Sequence, residues 1–491
     1  MINQQLLTYI KQQLQQGINN EQIKQSLIIK GWQVGDIEKA FSATTKTLKN
    51  PYKRSWKRII LIITSLIFIL IIIILILPIF LSLFAKDIAS IDDSDLQLQK
   101  MLIPNEDNAY FYLNKLDDVI YIPEGKWQLI ASMSTGEMWD NQIATEVISK
   151  NTQAFRYFTK AAEKLKYQNP ESADPANINF DMTMPPMQSW IRMATLSRLK
   201  ALYLSKQGKD IEALNESLNS VKIGSKIKES QVMMTEYIMA TSLKTTGLIT
   251  IQQIIPSLDL TNTELKKYIQ KLDNLFISNN GLIMVAKTNY ALSYWVINIL
   301  ATGDKEKIRE LMGEEEPEMT RRINNRFYFK PNKTKLLLAE STRKQIEEIG
   351  QLCGEIEDIR SLGLAPANPV TFYITENAIG RILHDSAMTG LTPLIMSSKC
   401  QGNLLVSATQ TMIAIKMYKN DTNNYPSSLE ELVPNYLSSI PIDPFDGNPL
   451  RYSAENRIIY SVGIDMKDSG GSIKDGWGWR DAVDPTFVLN F

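Results

Sequence analysis

The sequence predicts a mostly α-helical membrane protein. It consists of a small cytoplasmic three-helix bundle, a single transmembrane helix, a long helical ectodomain and a small α+β C-terminal domain. Three observations predict this. A 27-residue run at 59–85 carries no charged side chain. Apolar residues recur at three- and four-residue steps through most of 105–400, which marks one face of a helix. Residues 401–491 break that period with turn residues and short alternating stretches.

The expected boundaries are a three-helix module at 1–45, a basic linker at 46–58, a transmembrane helix at 59–85 and a polar linker at 86–104. The helical ectodomain then fills 105–400 and the α+β domain 401–491. Overall composition, 44% hydrophobic and 22% charged, is that of globular protein rather than disordered chain. Roughly 400 residues beyond the apolar run are too many for one core and predict at least two domains.

The run at 59–85 is Ile-rich. At about 1.5 Å per residue a helix of this length reaches roughly 40 Å, against a hydrocarbon core of roughly 30 Å. Only a helix satisfies its own backbone in lipid, so the β-branched run is expected to be helical despite weak intrinsic propensity. Pro78 falls near its end. A cleaved signal peptide does not fit, because 58 residues precede the run. Its polar residues are Thr64, Ser65 and Ser82, too few to indicate a channel or carrier.

Charge orients the expected span. Residues 1–58 hold ten Lys plus Arg against three Asp plus Glu, about +7, and the net charge of zero leaves about −7 for the remainder. Basic flanks stay on the cytoplasmic side, which places the N-terminus inside and the C-terminal region outside the cell. The anionic leaflet would hold the basic segment close, so the membrane is one expected partner and nucleic acid is not. Two cysteines, Cys353 and Cys400, leave pairing open against two small buried residues.

Taken in order, Leu6, Leu7, Ile10 and Leu14 mark one face of a helix that stops at Gly17. Asn19 or Asn20 caps a second helix with Ile23, Leu27 and Ile28, which stops at Gly31. Asp36 begins a third through Ile37 and Phe41. The spacing of Gly17, Gly31, Trp32, Asp36, Ile37 and Ala40 resembles a ubiquitin-associated-like three-helix module of bacterial membrane proteins. The resemblance implies a small docking module that contacts another protein through the Gly31-Trp32 turn. Trp32 is equally readable as the central plug of the bundle. In the linker that follows, Trp56 is placed as an interfacial anchor.

Beyond the polar linker, Leu196, Leu199 and Tyr203 share a face, as do Ile211, Leu214, Leu218 and Val221. A Gly208-Lys209-Asp210 break separates the two runs. The pair resembles the helix–turn–helix of a tetratricopeptide repeat, but no second copy follows at that repeat's period, and an irregular helical array is the simpler expectation. Further helices are expected at 226–254, 262–275, 282–301, 333–350 and 371–386. A solvated charge cluster is expected at 313–322. The longest irregular connection is 168–188, where Met182, Met184 and Met187 serve as core filler or as a binding surface.

In the C-terminal region, Ala408, Met412, Ile415 and Tyr418 lie on one helix face, which ends near Tyr425-Pro426. A short helix is expected around Leu429 and Leu432, then a turn at 443–447. A hairpin pairs 450–453 with 457–462. Tyr425-Pro426, Asp443-Pro444 with Pro449, Tyr460-Ser461-Gly463-Asp465 and Gly470-Gly471 follow in an order that resembles the periplasmic head of the major pseudopilin of type II secretion systems. About 75 residues carry the match. It implies an α+β head, association with a secretion or type IV pilus-like assembly, and a calcium site in the loop from Asp465 to Asp484. Asp465, Asp468 and Asp475 are the expected oxygen donors, with glycines letting the chain wrap the ion. The same residues would also serve as turn-formers. The chain departs from a pilin in lacking a Gly-Phe-Thr-x-x-Glu motif before its apolar run, so processing and polymerisation as a pilin are not expected.

No catalytic constellation is evident. The sole histidine, His384, cannot build a multi-histidine metal site and reads as structural. Phosphate-binding, dinucleotide and Gly-x-Ser-x-Gly motifs are absent. The expected function is therefore single-pass envelope binding or scaffolding, with envelope, secretion or pilus proteins as partners. The alternatives are a carboxylate-dependent glycan hydrolase, for which no acidic pair stands out, or a transmembrane sensor.

Overall fold

Two glycines end the first helices. At Gly17 and Gly31 the backbone turns to φ +78° and +88°, and the next N–H groups fold back onto the preceding turn. Gly31 N donates to Ile28 O at 3.0 Å and Trp32 N to Leu27 O at 3.1 Å, the paired closure of a Schellman motif. Asn19 caps the second helix by accepting from Gln22 N at 2.9 Å. The three helices are α1 (Gln4–Gln15), α2 (Asn20–Ile29) and α3 (Val34–Thr47). They close around Leu6, Ile10, Ile23, Leu27, Ile37 and Phe41.

The structure, a computed structural model, describes residues 3–47, 52–312, 322–355, 363–388, 391–471 and 483–491. Most of the predicted 313–322 cluster lies outside them, as does Asp475. The chain forms two compact units, 1–78 and 79–491. Helix accounts for 63% and strand for 3%, so the protein is mostly α as expected.

The expected transmembrane segment is corrected. Among the described residues no helix is long and apolar enough to cross a membrane. The stretch is helical, with α4 running Tyr52–Phe84 over 33 residues. The described side chains over 58–73 face outward. Ile59, Leu61, Leu66, Phe68 and Leu70 among them are exposed. The membrane, single-pass and inside–outside assignments rested on that span and fall with it.

The second unit begins with short helices α5 (Tyr110–Leu113), α6 (Trp127–Thr135), α7 (Asn141–Lys150) and α8 (Thr152–Glu163). They pack with α9 (Met187–Ser205) around Trp190, Phe158 and Tyr167. In the connection before α9, Met182 is buried and Met184 exposed. α10 (Asp210–Lys228) and α11 (Met234–Ile254) pack extensively along each other. Glycines permit the approach. A Cβ on Gly224 would lie 2.5 Å from Ala240 O, and one on Gly247 would lie 2.6 Å from Val221 Cγ2.

After α12 (Asn262–Asp273), a third cluster joins α13 (Asn279–Thr302), α14 (Lys305–Met312), α15 (Pro331–Glu348), α16 (Pro369–Ile374) and α17 (Ala378–Met388). The one helix expected at 371–386 is two. Asn377 adopts φ +56° between them, with its N–H on Phe327 O at 2.8 Å and its side chain accepting from Lys330 N at 2.9 Å. A tertiary anchor breaks the helix where local pattern alone would continue it.

α18 (Leu391–Thr422) carries the chain into the C-terminal region. Its 404–415 stretch is buried all round rather than on one face. α11 and α12 cover one side, while Leu432, Phe445, Ile459 and Phe487 share the same core. Residues 401–491 thus pack in one core with helices of the preceding region. Cys353 and Cys400 are joined by a disulfide. A 3-10 turn occupies Leu429–Leu432, and β1 (Arg451–Ser453), β2 (Ile458–Tyr460) and β3 (Thr486–Val488) form an antiparallel sheet in that order. Asp443, fully buried, ties it together by accepting from Phe445 N, Val462 N, Ser461 Oγ and Arg451 Nη1 at 2.9–3.0 Å.

Candidate functional site

The Gly31-Trp32 turn joins α2 to α3 at the surface of the bundle. Nothing lies within 4 Å of a Cβ built on Gly31, so its side-chain-free character serves the backbone turn alone. Trp32 is half-buried against the edge of the core, neither its central plug nor free of it. The bundle closes without Ile28, Ile29 and Val34, which are 47%, 85% and 56% exposed around the turn. Ile28 was read on the second helix with Ile23 and Leu27. It falls one residue past Leu27 and so turns away from the α1 and α3 contacts. Lys30 lies against the Tyr9 ring, its Nζ 4.7 Å from the centroid, which leaves an apolar surface bordered by a cation.

In the C-terminal loop, Asp465 accepts from Lys467 N at 3.1 Å and Asp468 from Gly470 N at 3.0 Å. Each is a turn-former with an N–H two residues on. Asp484 closes the loop by accepting from Ser469 N at 2.9 Å and Gly471 N at 2.8 Å through one oxygen. Its other oxygen is buried without a partner among the described residues. Among the described residues no three His, Cys, Asp or Glu come together as a metal centre.

Two side-chain groupings escaped sequence reasoning. Ser341 Oγ lies 2.8 Å from His384 Nε2, and His384 Nδ1 lies 3.0 Å from Asp385 Oδ1. Lys228 Nζ lies 2.7 Å from Ser398 Oγ and 2.9 Å from Thr241 Oγ1, with burial holding its ammonium well below the usual lysine range. Both resemble activated serines in composition. Neither has the rest of a hydrolytic site. Ser341 and Ser398 sit within helices whose N–H groups are spent on the helix ladder, so no oxyanion donors face them. His384 and Lys228 are fully buried, and neither serine lines any of three cavities of about 380–390 Å³ among the described residues. These groups satisfy one another inside a helical core. His384 announced itself by being alone; Asp385 is its neighbour on α17, while Ser341 comes from α15 and carries no sequence signal.

No family model, curated protein or solved structure matches the chain.

Proposed function

We propose that the chain is a non-catalytic docking protein whose N-terminal bundle captures a partner at the Gly31-Trp32 turn. The supporting observation is the exposure of Ile28, Ile29 and Val34 around a bundle whose core is already complete. Exposed apolar side chains gathered about a rigid turn favour protein contact over solvation. The basic balance of 1–58, ten positive residues against three negative, selects an occupant with acidic flanks. An amphipathic partner helix with acidic flanks has that chemistry.

A photo-crosslinking residue at position 29 of the full-length chain, against a control at exposed Lys11, identifies the partner in native cells. The purified partner is then titrated against the chain. One adduct specific to position 29, with affinity reduced about tenfold or more by Ile29→Asp, is expected. Equal adducts at both positions, or affinity unchanged by Ile29→Asp and Val34→Asp, overturns the proposal.

A second reading is carried by the orphaned, buried Asp484 Oδ1. The C-terminal loop takes calcium, held by Asp484 and Asp468 with the ion supplying the missing partner. Calcium raises the melting temperature of the intact chain if this is so, and Asp484→Asn abolishes the rise while leaving the N–H contacts an acceptor. No calcium dependence in the parent chain refutes it.

A further inference from the structure

One face of α10 opens on a cavity of about 390 Å³. Lys222, Ser225, Lys226 and Glu229 reach it from successive turns, at the three- and four-residue steps that align side chains. Opposite them stand the extended segment at 165–168, the chain at 101–103 and the end of α12. The first two are stitched together. Gln168 Nε2 donates to Met101 O at 2.6 Å, and Ile103 N donates to Gln168 Oε1 at 2.9 Å.

Ser225 is the unusual member. A serine or threonine inside a helix ordinarily returns its hydroxyl to the carbonyl four residues back. Ser217 and Thr241 do so at 2.9 and 3.0 Å. Ser225 Oγ, more than nine-tenths buried, has no partner among the described residues. A buried hydroxyl left unpaired is costly and is rare without a ligand or bound water to answer it.

The charge around it is one-sided. Lys166, Lys222 and Lys226 line the cavity against Glu229 alone, and both Glu229 oxygens are already engaged by Ser278, through its N–H at 2.9 Å and its hydroxyl. Lys226 spends part of its donor capacity on Ala161 O and Ala162 O at 3.4 and 2.5 Å, which caps the end of α8. The remaining wall is mixed, with Met101, Ile103, Leu165, Leu275 and Phe276 giving an apolar stretch beside polar Gln168, Gln231 and Asn274.

We propose that this cavity binds a small organic carboxylate with an apolar body, its carboxylate on Ser225 Oγ and the Lys222 and Lys226 ammoniums, its hydrocarbon along Phe276 and Ile103. Burial and the neighbouring Lys222 hold the Lys226 ammonium down at about 8, so a bound anion relieves a repulsion present in the empty site. The cavity falls in the size range of small-molecule sites, which are mostly apolar with a few converging polar groups. The inference does not depend on docking at the Gly31-Trp32 turn.

The test is calorimetric titration of the full-length chain with decanoate, alongside decanol and inorganic phosphate. Decanoate is expected to bind at one site per chain, with decanol and phosphate each at least about tenfold weaker because each lacks one half of the recognition. Ser225→Ala and Lys222→Gln are each expected to weaken decanoate about tenfold, the scale of a lost hydrogen bond or ion contact to a charged group. Both variants change only side-chain tips on a helix that stays intact. Equal binding of decanoate and decanol, or decanoate binding indifferent to both substitutions, overturns the proposal, since it would mark general adsorption to apolar surface.

Discussion

Ser341 Oγ faces His384 Nε2 across the α15–α17 contact at 2.8 Å, and the opposite ring nitrogen faces Asp385. The order of groups is that of a serine hydrolase, yet the ring is fully buried and the serine lies mid-helix. The bond is therefore structural. Ser341→Ala leaves a buried imidazole nitrogen without a partner and is expected to cost about 1–3 kcal/mol, read as a lower urea midpoint. A fluorophosphonate probe is expected to leave Ser341 unlabelled in the parent chain. Stoichiometric labelling there would contradict a non-catalytic reading.

The contact of α10 with α11 depends on two missing side chains. Gly224→Ala drives a methyl against the Ala240 carbonyl and Gly247→Ala drives one against Val221. Backbone stands in the way at both sites, Ala240 O at the first and Ser217 O at the second, so the helices must separate. Each change is expected to destabilise the second unit by about 2 kcal/mol, the scale of core overpacking, despite the higher helix propensity of alanine. Gly208, where no atom lies within 4 Å, is a useful contrast. There alanine meets only the strain of φ +69°, so its cost is backbone alone.

What the sequence disclosed follows from how local each signal is. Gly17, Gly31 and Asn19 act on their own turns, so the bundle's helix ends were legible. The 429–432 turn and the 451–460 hairpin were legible for the same reason. Asn377 breaks a helix through contacts with Phe327 and Lys330, some fifty residues away in the chain, and no local pattern announces that. The apolar run at 59–85 was read by composition as a span. The run is helical, but among the described residues no helix is long and apolar enough to cross a membrane. Of the site residues, Gly31 and Trp32 were visible as a turn. Ser225 was not, because a lone serine in a helix means nothing until its neighbours fail to bond it.

Cys353 is bound to Cys400, closing a loop with a sequence separation of 47. The bond anchors the segment after α15 to α18, inside the core that α18 shares with the sheet. Chain entropy alone assigns such a loop about 4 kcal/mol, most of it through the unfolded state. A reductant, or the Cys353→Ala/Cys400→Ala pair, is expected to lower the melting temperature of the second unit by several degrees. An unchanged melting curve under full reduction would place the stabilisation elsewhere.

Buried ionisable groups on α11 set opposite pH slopes. Burial lifts the Glu236 carboxyl to about 7, although Tyr167 and Met233 N donate to it. Its folded value lies above its unfolded one, so its stabilisation is complete below pH 4.5 and is lost as pH rises through 7. Burial pulls the Lys244 ammonium down to about 7, where Leu275 O is its bonding partner. That folded value lies below the unfolded one, so its stabilisation is complete above pH 10.5 and is lost as pH falls through 7. Lys228 and Lys226, also held low by burial, add to the alkaline side. Stability of the second unit is therefore expected to pass through a minimum near pH 7 within the window from 5 to 10. Lys244→Met removes one titrating group and should flatten the alkaline arm, and Glu236→Gln should flatten the acidic one. Urea midpoints at half-unit pH steps resolve both arms. A single maximum near neutrality, unaltered by either substitution, would show that these groups ionise in the folded chain as they do in water.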